Sequence, residues 1–332
     1  MRIALLGGGS WGTALAIHAA RLHQDVVLWV RKDEAAERLS RARENARYLP
    51  GIPFPETLSI SADPGVIDDV DLVLIAVPSG AFRETLRWMQ PRLREGQTVA
   101  WATKGLETSS GAWLHEIAEE ELGSGFPPAL ISGPSFAAEV ARGQPTALTA
   151  ASQSEHSLDR LTGALHGNAL RIYRNHDVIG VELGGALKNV LAVATGIADG
   201  AGYGGNARAA LMTRGLAEMQ RLGEAVGAQP GTLTGLSGLG DLILTCTDDQ
   251  SRNRRLGRLL GQGYDLETAR ARIGQSVEGV ETARQISTRA EALSVDMPIS
   301  AEVHAVLYQG RPVREAARRL LERDPTHENP TG

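Results

Sequence analysis

Apolar residues follow two regimes along this chain. As far as about residue 175, short apolar runs alternate with amphipathic stretches. Arg2 to Leu6 (RIALL), Asp25 to Val30 (DVVLWV), Val70 to Val77 (VDLVLIAV), Gln97 to Thr103 (QTVAWAT), Ala129 to Ser132, Thr146 to Ala151 and Leu170 to Arg174 read as strands. The run at Val70 to Val77 has no polar alternation, as expected of a strand buried on both faces. Between the strands, residues 13–23, 81–93, 110–122 and 154–166 have helical patterning. Repeated strand–helix units predict a mostly parallel, doubly wound sheet of the α/β class. Past Asn175 the strand signal stops. Leu183, Leu187, Val190, Ala194 and Ile197 lie on one face of a long helix. Residues 208–226, 253–262, 265–273, 280–292, 299–307 and 313–321 also read as helices. The expected organisation is therefore a sheet domain over 1–175, an all-helical domain over 176–323, and a polar tail over 324–332 that is disordered.

The first strand runs into GGGSWG, in which Gly7, Gly9 and Gly12 form a G-x-G-x-x-G that opens a helix. Strand, glycine turn and helix in that order begin a dinucleotide-binding unit, so the sheet domain is expected to be Rossmann-type. Gly7 permits the tight turn, Gly9 lets backbone approach a pyrophosphate, and Gly12 lets helix and strand pack closely. The helix start offers unpaired N–H groups to the phosphates. NAD-specific folds usually place an acid at the end of the second strand, roughly 20 residues on. Arg31 stands there instead, followed by Lys32. An arginine suits a 2′-phosphate, so NADP(H) is expected beside or in preference to NAD(H). The alternative is that Arg31 opens a solvated helix, since residues 31–47 are charged throughout.

Bulk properties remove several classes. The formal net charge is −5 and the isoelectric point about 5.9, which argues against nucleic acid or an anionic membrane as partner. No apolar stretch approaches the ~20 residues needed to span a bilayer, so membrane insertion is not expected. The chain enters a strand directly, which argues against a signal peptide. Cys246 is the single cysteine and cannot form an intramolecular disulfide, consistent with a cytoplasmic location. The eight histidines show no HExxH or paired spacing, so no metal is expected.

In open α/β sheets, ligands sit beyond the carboxyl ends of the strands. Three loops there carry small or polar residues: Pro78-Ser79-Gly80, Lys104-Gly105 and Gly133-Pro134-Ser135. Lys104 would reach a phosphate or a carbonyl oxygen. Lys188 shares a helix face with Gly184 and Gly185 in ELGGALKNVLAVATGI. Each glycine costs a helix about 1 kcal/mol relative to alanine. Such a pair beside a lysine points to close approach of a ligand or of another backbone. The blander alternative is tight helix packing with Lys188 snorkelling outward. Further on, GLSGLGDLILTC supplies Asp241, and SRNRRLG puts Ser251, Arg252 and Asn253 at a helix start, an arrangement that suits an anion. Arg254, Arg255 and Arg258 read as a solvated basic face.

GGGSWGTALA, YLPGI, AVPS, ATKGLE, ISGPSFAAEV, ELGGALKNVLAVATGI, GLSGLGDLILTC and SRNRRLG occur in this order over about residues 1–320. Together they resemble the bacterial NAD(P)-dependent glycerol-3-phosphate dehydrogenases. The resemblance implies reversible reduction of dihydroxyacetone phosphate to sn-glycerol 3-phosphate, the backbone precursor of phospholipids. It implies Lys188 as general acid/base, and Lys104, Gly133, Ser135, Asp241, Ser251, Arg252 and Asn253 as substrate contacts beside it. It assigns Ser10, Trp11, Arg31, Ala137, Arg252, Ser276 and Glu278 to the cofactor, with Lys104 bordering both ligands. Relatives often carry an apolar residue where this chain has Ser276. Members are soluble and often homodimeric.

Two other readings compete. One is a different two-domain dehydrogenase, of the 3-hydroxyacid or 6-phosphogluconate type; the SGLGDL and SRNRR segments argue against it. The other is a non-catalytic NADP(H) sensor, which would have no need of Lys104, Lys188, Asp241 and Arg252 together.

Overall fold

The computed structural model describes residues 1–23, 25–324 and 327. Among them, β1 (Ile3–Leu6), β2 (Val26–Trp29), β3 (Leu58–Ser61), β4 (Leu72–Ile75), β5 (Thr98–Trp101), β6 (Ala129–Ser132), β7 (Thr146–Ser152) and β8 (Leu170–Asn175) make one sheet. Its order is β3-β2-β1-β4-β5-β6-β7-β8. Neighbouring strands are parallel except for the antiparallel pair β6–β7. The order reverses between β1 and β4, which places a topological switch point beside the glycine turn.

The helices are α1 (Ser10–Leu22), α2 (Asp33–Ala42), α3 (Phe82–Met89), α4 (Leu114–Leu122), α5 (Ala137–Arg142), α6 (Glu155–Leu165), α7 (Val178–Gly200), α8 (Gly205–Val226), α9 (Pro230–Leu233), α10 (Asp241–Thr247), α11 (Arg252–Gly261), α12 (Leu266–Ile273), α13 (Glu278–Ala292), α14 (Pro298–Tyr308) and α15 (Val313–Leu321).

Successive residues of β1 enter opposite cores, which is why the strand is apolar throughout. Ile3 and Leu5 pack with Leu15 of α1, Val140 of α5 and Leu158 of α6. Ala4 and Leu6 pack with Phe82 of α3, Ile117 of α4 and Val181 of α7. The apolar pattern does not reveal β3 or α5. In β3 (LSIS) only Leu58 is fully buried, because it is an edge strand, and α5 has six residues, too few to show a period. Helix α4 begins at Leu114 rather than near Ser110, since the Glu116 carboxylate accepts the Trp113 N–H at 2.7 Å and fixes the start there.

Two compact units emerge. One holds Met1–Lys188 and Gly223–Leu244; the other holds Asn189–Leu222 and the chain from Thr245 onward. The strands do end at Asn175, as the pattern expects. The units, however, divide α7 between Lys188 and Asn189, and the segment Gly223–Leu244 groups with the sheet. In the second unit, α7 and α11 meet through glycines. A Cβ on Gly196 would sit 2.1 Å from the Arg254 carbonyl oxygen, and one on Gly257 would sit 2.2 Å from that of Val193. The buried Glu218 carboxylate accepts the backbone N–H groups of Ile299 (2.5 Å) and Ser300 (3.1 Å), capping α14 from another helix.

The expectation that no apolar stretch is long enough to cross a bilayer is corrected by α7, which is long and apolar enough by length and composition. Its most apolar window is 94% buried, the mark of a core helix. The expected disordered tail lies outside the described residues, apart from Asp324 and His327.

Candidate active site

Gly7 has φ +121°, a conformation that side-chain-bearing residues rarely adopt, and a Cβ there would meet the Ala76 carbonyl oxygen at 2.6 Å. A Cβ on Gly12 would lie 2.1 Å from the Gly7 carbonyl oxygen, so α1 can approach the turn only with glycine at that position. Around Gly9 there is open space for 4 Å, and as N-cap of α1 it receives no side-chain cap. The turn therefore presents bare backbone and a helix start to an incoming group. Ser10 and Trp11 follow as the first helical residues, and Trp11 and Ala137 pack against the same core. The Trp11 indole N–H is buried without a partner among the described residues. Arg31 is exposed beyond the carboxyl end of β2 and has no acidic partner among the described residues. These features fit a dinucleotide with its phosphates on the α1 start.

The same unit gathers a cluster of charge. Asp241, fully buried, accepts from Lys188 Nζ at 2.6 Å through Oδ1 and from Lys104 Nζ at 2.7 Å through Oδ2. Lys104 Nζ also reaches the Gly133 carbonyl oxygen at 3.4 Å, which accepts the Ser135 hydroxyl at 3.1 Å. Lys188 has only 7% of its surface exposed. Burial lowers its pKa to about 8; Asp241 opposes the shift and Lys104 adds to it. Two cations thus share one buried anion, and Lys188 titrates at about 8, far below an ordinary lysine.

The paired glycines resolve as packing devices. A Cβ on Gly184 would meet the Ser237 carbonyl oxygen at 2.4 Å. One on Gly185 would meet Ser132 Oγ at 2.8 Å and Lys104 Cδ at 3.6 Å. The close approach is that of the Ser237 backbone and the Ser132 side chain, with Lys104 in ordinary contact. Lys188 is buried rather than snorkelling.

In the second unit, Ser251 caps α11 by accepting the Arg254 N–H at 3.2 Å. Arg252 donates to the Ser276 carbonyl oxygen at 2.9 Å and has no carboxylate partner among the described residues. Asn253 is committed on both sides. Its Nδ2 donates to Asn189 Oδ1 at 2.8 Å, and its Oδ1 accepts the Gly279 N–H at 2.9 Å. Asn189 Nδ2 reaches Glu278 at 3.4 Å. The helix starts at Arg252 and Glu278 are thereby tied to α7. Asn189 did not stand out in the sequence; the available signal was a second polar residue beside Lys188 in an apolar helix. Arg254 corrects the solvated-face reading. It is buried and paired with Asp199 (2.6 Å) and with Asp249, whereas Arg255 is exposed. Among the described residues no group of three potential metal ligands occurs.

Comparison with known proteins covers most of the chain. Residues 2–158 match the family model for the NAD-dependent glycerol-3-phosphate dehydrogenase N-terminus, and residues 177–318 match that for its C-terminus. A glycerol-3-phosphate dehydrogenase (NAD(P)+) from Thioalkalivibrio sulfidiphilus is 56% identical over 323 residues, 97% of each chain. One from Pseudoalteromonas translucida is 50% identical over 324 residues, again 97% of each. The crystal structure of glycerol-3-phosphate dehydrogenase from Coxiella burnetii superposes with a TM-score of 0.93 at 47% identity, covering 97% of this chain and 99% of that one. With its glycine turn, its buried lysine–aspartate cluster and these matches, the chain belongs to the NAD(P)-dependent glycerol-3-phosphate dehydrogenase family.

Proposed function

We propose that this protein interconverts dihydroxyacetone phosphate and sn-glycerol 3-phosphate with NAD(P)(H), with Lys188 as the general acid/base. The observation that carries the reading is the buried Lys188 on Asp241 beside Lys104, with its pKa lowered to about 8. When bound, the nicotinamide supplies the hydride. As the new C–H bond forms, the carbonyl π electrons move to oxygen, and Lys188 donates the proton that completes the hydroxyl. Lys104 contributes positive charge toward that oxygen. Asp241 keeps both ammonium groups at one place. Arg252, with the start of α11, takes the substrate phosphate and orients the ketone remote from the reacting atoms. The product serves as a backbone for glycerophospholipids. The protein works in the cytoplasm, as a homodimer, with no nucleic-acid partner and no membrane insertion.

The test is the pH dependence of turnover in both directions. Reduction needs the ammonium form, so its turnover should fall as pH rises through about 8. Oxidation needs the free amine and should rise through the same pH. A chemistry-limited rate that is flat from pH 7 to 10 in both directions would remove Lys188 from proton transfer.

A further inference from the structure

The segment after α2 contains the YLPGI motif, which neither the glycine turn nor the lysine cluster accounts for. Residues 43–54 fold back on themselves. The Phe54 N–H donates to the Arg43 carbonyl at 2.7 Å, and the Gly51 N–H donates to the Glu44 carboxylate at 2.8 Å. The Arg43 guanidinium holds the carbonyls of Leu58 and Pro55. Leu49, Ile52 and Phe54 sink into the core shared with α1. Asn45 stands at the base of this closed loop, buried to 3%, and its carbonyl accepts the N–H groups of Tyr48 and Leu49.

From there the Asn45 side-chain nitrogen makes two bonds into the glycine turn. It donates to the Gly8 carbonyl oxygen at 3.0 Å and to Thr13 Oγ1 at 2.8 Å. A carbonyl can only accept, so the amide nitrogen must face it. The peptide unit is planar and trans, so its C=O and N–H point in opposite directions. With the Gly8 oxygen drawn toward Asn45, the Gly9 N–H of the same unit is aimed away, toward the open side of the turn. That N–H makes no hydrogen bond within the described residues, and a Cβ on Gly9 would find no atom within 4 Å.

We propose that Asn45 is a positioning residue for the dinucleotide: anchored by the YLPGI loop, its amide locks the Gly8–Gly9 peptide with the Gly9 N–H facing the cofactor phosphates. Without this strut the Gly8–Gly9 peptide itself would have to be ordered on binding, although its neighbours are held by the Gly7 N–H on the Trp29 carbonyl and the Thr13 N–H on the Gly9 carbonyl.

Direct titration of NADH and NADPH by protein fluorescence or calorimetry, with stoichiometry, tests the idea. Asn45→Ala and Asn45→Asp should weaken both cofactors equally, by about fivefold to twentyfold in Kd, the size expected for one lost hydrogen bond. This distinguishes the strut from a 2′-phosphate contact, whose loss in Arg31→Asp would weaken NADPH alone. A variant that had only lost stability would bind fewer equivalents while its folded fraction kept the parent Kd. Thr13→Val removes the second anchor of the amide and should raise both Kd values twofold to threefold, which keeps the test open if the Asn45 variants do not fold. A parent-like Kd in whichever of these variants folds, or a loss confined to one cofactor, overturns the proposal.

Discussion

Each of the two units holds a buried polar cluster, and the two differ in kind. Lys104 and Lys188 share the Asp241 carboxylate, and burial lowers the Lys188 pKa to about 8. Asn189, Asn253 and the Gly279 N–H form a network of neutral partners, with Glu278 at its edge. A buried ammonium held at the edge of titration costs stability and is suited to moving a proton. An amide network of this kind ties α7, α11 and α13 together. Arg252 is the exception in the second cluster, a cation whose hydrogen bond among the described residues is to a backbone carbonyl.

Removing the proton donor should have the largest effect. Lys188→Ala is expected to cut turnover about 10²–10⁴-fold, the usual range for a general acid, in both directions. Melting temperature should hold or rise, because the remaining Lys104–Asp241 pair is charge-balanced. A folded variant with near-parent turnover in a chemistry-limited step would break the contrast.

Asp241→Asn takes the anion away from two buried cations. Breaking such a pair costs roughly 3 kcal/mol or more, read from denaturant unfolding. Asp241 holds the Lys188 pKa up. Without it the reductive pH limb should therefore move below about 8; an unmoved limb would mean that Lys188 does not titrate in the rate.

Arg252→Ala should raise KM for dihydroxyacetone phosphate and lower turnover, by roughly 1.5–3 kcal/mol in kcat/KM, the value of one charge-assisted contact. Preference over unphosphorylated dihydroxyacetone should shrink equally. An unchanged preference would take Arg252 out of the phosphate site.

The smallest effect on chemistry is expected at Asn253. Asn253→Ala should cost about 1–3 kcal/mol of stability by orphaning the Gly279 N–H and the Asn189 amide oxygen. Turnover at saturating substrate should change only a few-fold. A tenfold rise in KM at unchanged stability would show the opposite, a direct role for Asn253 at the substrate.

Much of this was legible one residue at a time. The run Ile3–Leu6, the glycines at 7, 9 and 12, and the four-and-three spacing of α7 each reflect a local rule, so the chain order alone exposes them. The same holds for Lys104, Lys188 and Asp241 as chemically plausible groups, and the resemblance of whole segments sharpened that choice. Short or half-exposed elements such as β3 and α5 have too few apolar positions to register.

What the sequence determined by itself was the succession of a sheet domain and a helical one, the dinucleotide turn, and the inventory of charged residues at strand ends and helix starts. What only the tertiary structure decided was pairing. Asp241 meets Lys104 and Lys188 across long stretches of chain, and Asn45 reaches back to Gly8 from beyond α2. Gly184 and Gly185 turn out to serve packing against residues 132, 104 and 237. The reason is physical: hydrophobic periodicity and turn chemistry act between neighbours in sequence. A pKa, a satisfied amide or an oriented peptide depends on burial and on partners that only folding brings within about 3 Å.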